Sequence, residues 1–186
     1  MKKNLILFFL LLLLSGITWF FYQKDRSKSM RGELTDFAVE DTASISKIFL
    51  SDKNNHNILL ERKSGNQWTV NGRHEAKQDV VKTLLETIHD VTVKSPVPKT
   101  MFQTTIKLMS SNSIKVEVYQ GKDKPSKIYY VGHPTQDHTG TYMLMEGSVV
   151  PFVTHIEGFR GFLSTRYFTN EYDWRSTEIF QYDLGE

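Results

Sequence analysis

Cysteine is absent from all 186 residues of the sequence, and this absence removes several kinds of chemistry. Without thiols the chain has no disulfide framework, no cysteine nucleophile and no thiolate metal site. The residues at positions 13–16 read Leu-Leu-Ser-Gly and match the front of a lipid-attachment signal, but Ile17 stands where the modified cysteine must be. Phosphate-binding glycine loops, nucleophile elbows and dinucleotide fingerprints are missing as well.

A basic stripe interleaved with aromatic residues is also missing from most of the chain. Lys and Arg together number 23 against 21 Asp and Glu, and the pI is about 8.7. Without residues 1–32 the chain has 17 basic and 20 acidic residues, a net charge of −3. The basic excess therefore belongs to the N-terminal segment, and nucleic-acid binding is not expected.

Residues 5–22 form an uncharged apolar run that predicts a transmembrane helix. At ~1.5 Å per residue this run covers roughly 27 Å, close to the ~30 Å hydrocarbon core of a bilayer. Trp19 and Tyr22 lie at its far end, where amphipathic rings favour the membrane interface, and Lys24 follows. We therefore expect residues 1–22 to be an uncleaved signal anchor with a single membrane span. A cleaved signal peptide is the alternative, because Ser15 and Gly16 are small residues after a leucine-rich block.

The sidedness of this anchor follows from two opposing signals. Four basic residues between positions 24 and 31 favour a cytoplasmic C-terminus by the positive-inside rule. A lysine pair before a leucine-rich block is the usual export signal, and long domains translocate largely regardless of charge. We expect an inner-membrane protein whose domain lies in the periplasm.

Residues 23–43 are polar and predict a tether, and residues 44–186 suit one globular α+β domain. Its pattern predicts antiparallel meanders packed with short helices. The predicted strands are 44–51, 57–63, 67–71, 114–120, 127–131, 141–146 and 149–156. The predicted helices are 77–91, 102–109 and 158–167, with an extended connector at Pro96 and Pro98 and a long polar loop at 132–140.

His133, Asp137 and His138 are the sharpest candidates for metal chemistry, because two imidazoles and a carboxylate lie within six residues. Metal binding requires such groups to converge with further ligands, and Pro134 prevents a helical register here. A solvated hairpin loop is the alternative. The other four histidines are expected to be surface or locally bonded residues.

Arginine alternates with aromatic residues near the C-terminus, and these types are enriched at interface hot spots. The alternative is that the rings fill the core while the arginines contact carboxylates. The residues predicted to bind a partner are Phe159, Arg160, Arg166, Tyr167, Trp174 and Arg175.

Three stretches resemble the bacterial family called domain of unknown function 4340. They are Gln-Trp-Thr-Val-Asn at 67–71, Val-Val-Lys-Thr-Leu-Leu at 80–85, and Tyr-Tyr-Val-Gly-His-Pro-Thr at 129–135, followed by 140–144. The resemblance covers about residues 44–167. It implies a membrane-anchored envelope protein of the Bacteroidota-like type, and some members accompany export or gliding components. The family supplies no catalytic residues.

These observations together predict a protein that is not an enzyme and has no cofactor. The expected role is a non-catalytic, membrane-tethered envelope domain that binds a protein partner in an export or motility-type assembly. One alternative is a small-ligand or glycan-binding domain that uses the 132–142 loop, with a pocket lined by Tyr130, His133 and Tyr142. A metal-dependent hydrolase is the other.

Overall fold

The computed structural model describes Ser15 and residues 35–177. The predicted anchor therefore lies outside the described residues apart from Ser15, and so do residues 23–34 of the predicted tether. Among the described residues, no helix is both long enough and apolar enough to cross a membrane. One compact unit begins at Thr35.

Residues 35–177 form a mostly antiparallel β-sheet with a few helices, which confirms the predicted α+β class. The strands are β1 (Lys47–Ser51), β2 (Asn57–Ser64), β3 (Gln67–Val70), β4 (His74–Glu75), β5 (Val91–Pro96), β6 (Ile114–Tyr119), β7 (Lys127–Pro134), β8 (Thr141–Met145) and β9 (Phe152–Ile156). The helices are α1 (Gln78–Asp90), α2 (Lys99–Ser111) and α3 (Glu171–Trp174).

Two meanders, β1–β4 and β6–β9, stand side by side in this sheet. The order is β4-β3-β2-β1-β6-β7-β8-β9-β5, with every neighbouring pair antiparallel. The meanders meet at β1 and β6, where Ile48 lies opposite Val118. Helix α1 connects the first meander to β5, and β5 pairs with β9. A strand from the first half of the chain therefore forms the edge of the sheet next to the second meander.

Helix α1 forms because its apolar residues share one face. Val81, Leu84 and Ile88 recur at three- and four-residue spacing, and all three are buried. This stripe joins the larger of two hydrophobic clusters, together with strand residues such as Ile48 and with Trp174 near the C-terminus. The smaller cluster joins α2 to the sheet through Met109 and other buried residues, Val97, Tyr142 and Val153.

The globular unit begins earlier than the predicted boundary at residue 44. Phe37 and Val39 are buried in the larger cluster, and the Val39 amide donates a hydrogen bond to the Ile88 carbonyl at 3.0 Å. Residues 35–43 therefore belong to the folded unit, because their apolar side chains complete its core.

The segment after β9 does not form the predicted helix at 158–167. It is a series of turns that contains one 3-10 turn, Ser164–Arg166. Gly158 has a φ of 77° and ends the strand in the left-handed region, which a continuing helix cannot adopt. The prediction was wrong because the apolar residues of this segment lie on successive turns rather than on one face of a helix. These turns bury Leu163 and Tyr167 in the core.

Two other segments differ from the prediction in length or type. Residues 91–96 form strand β5 rather than a helix end and connector, and α2 begins at Lys99, directly after Pro98. Strand β7 continues to Pro134 through a register shift between Val131 and Pro134. The polar loop predicted at 132–140 is therefore confined to residues 135–140.

Candidate partner-binding groove

The Asp137 carboxylate fixes the conformation of the loop between β7 and β8 through hydrogen bonds within the loop. Asp137 accepts hydrogen bonds from the Thr135 hydroxyl at 2.5 Å and from the Thr139 hydroxyl at 2.6 Å, and from the Thr139 amide at 3.2 Å. The bonds from Thr135 and Thr139 hold the pKa of Asp137 well below its ordinary value. Asp137 is therefore an ionised structural acceptor that orients the loop.

The base of this loop is closed by Gly140. The Thr135 amide donates to the Gly140 carbonyl at 2.9 Å, and the Gly140 amide donates to the Thr135 hydroxyl at 3.0 Å. A Cβ at Gly140 would lie 2.6 Å from Val153 Cγ1 and 3.2 Å from the Thr154 carbonyl oxygen. Glycine is needed here because position 140 lies too close to β9 for a side chain.

The loop borders a groove of about 590 Å³ that we call the basic groove. Its lining comes from four places in the chain, namely β5, the 135–140 loop, β9 and the turns after β9. The lining residues are Lys94, His138, Thr139, His155 and residues 159–162. A lysine, an arginine, two imidazoles and two phenylalanine rings therefore meet in one depression, and no lining residue is acidic.

Two contacts hold the walls of the basic groove together. Lys94 Nζ donates to the Thr139 hydroxyl at 3.2 Å, which links β5 to the loop. The His138 ring packs against Phe162 with 5.5 Å between ring centroids. His138 has a φ of 55°, so its backbone turns in the left-handed region and directs the imidazole toward Phe162.

Phe159 is held at the rim of the basic groove. Its side chain is 37% exposed, and the Arg166 guanidinium carbon lies 4.4 Å from its ring centroid. Arg166 Nη1 also donates to the Thr87 hydroxyl of α1 at 2.8 Å. The cation–π contact and this hydrogen bond together place an accessible aromatic ring beside the groove.

The six residues predicted to bind a partner divide into two groups. Phe159 and Arg160 line the basic groove, and Arg166 supports Phe159. Arg175 is exposed but lies beside β4, where it forms an isolated bridge with Ala76, far along the sheet order from β9.

Tyr167 and Trp174 are core residues, so their assignment to a partner surface was wrong. Tyr167 is 1% exposed, and its hydroxyl lies 3.3 Å from the hydroxyl of buried Tyr129. Trp174 is fully buried, stacks on Phe168 at 4.3 Å between centroids, and donates its indole N–H to the Phe168 carbonyl at 2.9 Å. The core-packing alternative holds for these two rings.

The histidines at 133 and 138 do not form one site with each other. His133 belongs to β7 and packs on Tyr142 at 4.9 Å, where burial lowers its pKa. His138 faces Phe162 instead. Among the described residues, no group of three His, Asp or Glu side chains is placed to hold a metal ion.

Of the three side chains predicted to line a pocket, His133 and Tyr142 pack on each other with 4.9 Å between ring centroids. Tyr130 lines a small cavity of about 180 Å³ between α2 and the sheet, and neither His133 nor Tyr142 is part of its lining. The loop contributes to the basic groove instead, through His138 and Thr139.

Lys94 and His155 are the groove residues that sequence reasoning missed. They come from strands separated by about 60 residues, which are joined because Thr92 lies opposite His155. The sequence does not distinguish His155 from three histidines that contact carboxylates, namely His56 with Asp52, His74 with Glu171 and His89 with Asp90. Only the pairing of β5 with β9 could have identified it.

No protein-family model matches the chain, and no curated protein or solved structure is significantly similar to it. The resemblance to the domain of unknown function 4340 therefore stays a prediction. The function of this protein must therefore be inferred from its fold and from the basic groove.

Proposed function

We propose that this chain is a non-catalytic, membrane-tethered envelope domain that binds a protein partner in a multi-component assembly of the export or motility type. The observation that carries the proposal is the basic groove. It combines Arg160 with the accessible ring of Phe159, and arginine and aromatic side chains are enriched at the energetic centres of protein interfaces.

The chemistry of the groove supports binding more than turnover. Asp137, the carboxylate nearest to the groove in the 135–140 loop, already accepts three hydrogen bonds and is a weak base. Lys94 and Arg160 are groups that bind and orient acidic atoms, and Phe159 offers apolar area. The Thr139 hydroxyl beside Lys94 donates to Asp137 at 2.6 Å, and this bond helps to fix the loop.

Site-specific crosslinking tests this proposal in the full-length chain within membranes. A photoreactive phenylalanine analogue replaces Phe159 in one variant and Tyr172 in the control. Tyr172 is aromatic and 76% exposed, but it lies on α3 outside the groove. We expect one discrete adduct from position 159 and none from position 172. Adducts from position 172 alone, or from neither position, would contradict the proposal.

The predicted topology has a separate test that uses the absence of cysteine. Tyr172→Cys introduces a single thiol on the exposed surface of the domain. If the domain lies in the periplasm, a membrane-impermeant maleimide labels this thiol in intact spheroplasts. Labelling only after lysis would place the domain in the cytoplasm.

A second candidate is a small-ligand or glycan-binding domain, which the volume of the basic groove favours. About 590 Å³ lies within the ~300–1,000 Å³ typical of ligand pockets, and the loop residues His138 and Thr139 reach into it. Nuclear magnetic resonance titration with mono- and disaccharides tests this candidate. Saturable shifts confined to groove residues would favour it over a protein partner.

A further inference from the structure

The basic groove has an excess of positive charge that the neighbouring carboxylate of Asp137 neutralises only in part. Neither Lys94 nor Arg160 lies within 4.0 Å of a carboxylate oxygen among the described residues. The ionised Asp137 in the loop offsets part of this charge through its interaction with Lys94, so Lys94, Arg160 and Asp137 together carry a net charge of +1. The groove is therefore complementary to a ligand that carries negative charge.

Lys94 belongs to β5, a strand at an edge of the sheet. β5 is the last strand in the sheet order, so among residues 35–177 one side of its backbone pairs with no other strand. β5 has six residues, whereas the opposite edge strand, β4, has two and is followed by the bridge between Ala76 and Arg175. The side chains of Thr92 and Lys94 on β5 are exposed.

The edge is protected against unspecific pairing in its second half. A register shift falls between Val93 and Ser95, and Pro96 lacks an amide hydrogen. Bulges, prolines and lysines are the usual devices that prevent strands from aggregating at an edge. An added strand can consequently pair only with the first half of β5. The charge of Lys94 favours an added strand that is negatively charged.

We propose that the segment recognised by this domain is an extended acidic peptide that adds to the free edge of β5. This inference rests on the proposed function and specifies the partner. Its backbone pairs with residues 91–93, its carboxylates contact Lys94 and Arg160, and an aromatic or aliphatic side chain packs on Phe159. Strand addition of this kind gives affinity through main-chain hydrogen bonds and specificity through side-chain contacts.

The test uses the full-length chain in a non-ionic detergent and a fluorescent octapeptide of alternating Glu and Tyr. An octapeptide of alternating Lys and Tyr is the matched probe of opposite charge. We expect saturable binding of the acidic probe only, weakened by salt because exposed charges are screened. Combined Lys94→Glu and Arg160→Glu should weaken it roughly tenfold or more, since two attractions become repulsions.

The control variant reverses two lysines elsewhere, Lys63→Glu and Lys122→Glu, both on exposed positions outside the groove. It has the same net charge as the groove variant, so it reports the effect of overall charge. Equal weakening in both variants would overturn the proposal. Hydrogen exchange should also slow in residues 91–93 when the acidic probe binds, and slowing elsewhere without slowing in these residues would overturn strand addition.

Anionic lipid vesicles distinguish a peptide from a membrane surface. Vesicles of phosphatidylglycerol that bind the wild type but not the groove variant, while the acidic octapeptide does not bind, would overturn the proposal in favour of lipid headgroups. Failure of the octapeptide together with a specific crosslink at position 159 removes this inference alone. Failure of both removes the proposed function as well.

Discussion

Trp174→Ala is expected to change the stability of the domain and Phe159→Ala to change partner binding, although both aromatic residues come from the same arginine- and aromatic-rich stretch. Trp174 is fully buried and stacked on Phe168, whereas Phe159 is 37% exposed at the rim of the basic groove. Trp174→Ala should destabilise the domain, and Phe159→Ala should weaken partner binding with little change in stability.

The magnitudes follow from what each side chain contacts. Replacing a buried tryptophan with alanine costs about 3–5 kcal/mol through lost burial and the cavity left behind. The hydrogen bond from the Trp174 indole to the Phe168 carbonyl is lost as well. Phe159→Ala removes one exposed ring and its contact with Arg166, which costs at most about 1 kcal/mol.

Urea unfolding of the full-length chain in detergent measures this difference, with the unfolded fraction read by brief proteolysis. At roughly 2 kcal/mol per molar urea, a loss of about 4 kcal/mol lowers the midpoint by about 2 M. The Phe159→Ala midpoint should stay within about 0.5 M of the wild type. Equal shifts for the two variants, or a Trp174→Ala midpoint near that of the wild type, would refute the assignment of Trp174 to the core.

Three further perturbations test the packing and the loop. Trp174→Phe should cost about 1 kcal/mol more than Trp68→Phe in the same urea assay, because the Trp68 indole N–H is buried without a hydrogen-bond partner in the described part of the chain. Asp52→Asn should flatten the loss of stability between about pH 4 and pH 2, measured by acid unfolding. Burial raises the pKa of Asp52, but hydrogen bonds outweigh it and lower the pKa from 3.8 to about 2, so the stability it contributes is present above pH 4 and lost as pH falls toward 2. Gly140→Ala should cost roughly 1–3 kcal/mol and weaken groove binding, because its Cβ meets Val153 and displaces the loop; unchanged stability would contradict that close approach.

Much of the sheet could be predicted from the sequence because its strands alternate or are bounded by turns. The meander over 44–71 and helix α1 have local signals, namely turn residues between strands and a single apolar stripe. Strand β5 had no such signal, since residues 91–96 end in Lys94, Ser95 and Pro96 and pair with a strand about 60 residues away. Local pattern identifies strands that carry a buried face, and β5 is defined by its partner.

The candidate site was only partly predictable for the same reason. Phe159 and Arg160 stood out by residue type, and His138 by its loop, but nothing in the sequence indicated that these residues share one groove with Lys94 and His155. Residue type also could not separate Phe159 from Trp174, because both are aromatic residues near arginines. Burial made that distinction, and burial depends on the register of the whole sheet.

The mass of the detergent-solubilised protein, measured for the wild type and for Phe159→Ala combined with Arg160→Glu, tests the central claim most directly. If the domain is tethered to a membrane as proposed and the basic groove binds a protein partner, detergent releases the wild type in a complex heavier than the monomer. The double variant should be released as a monomer while its unfolding midpoint stays within about 0.5 M urea of the wild type. Complexes of equal mass from both proteins would contradict the account.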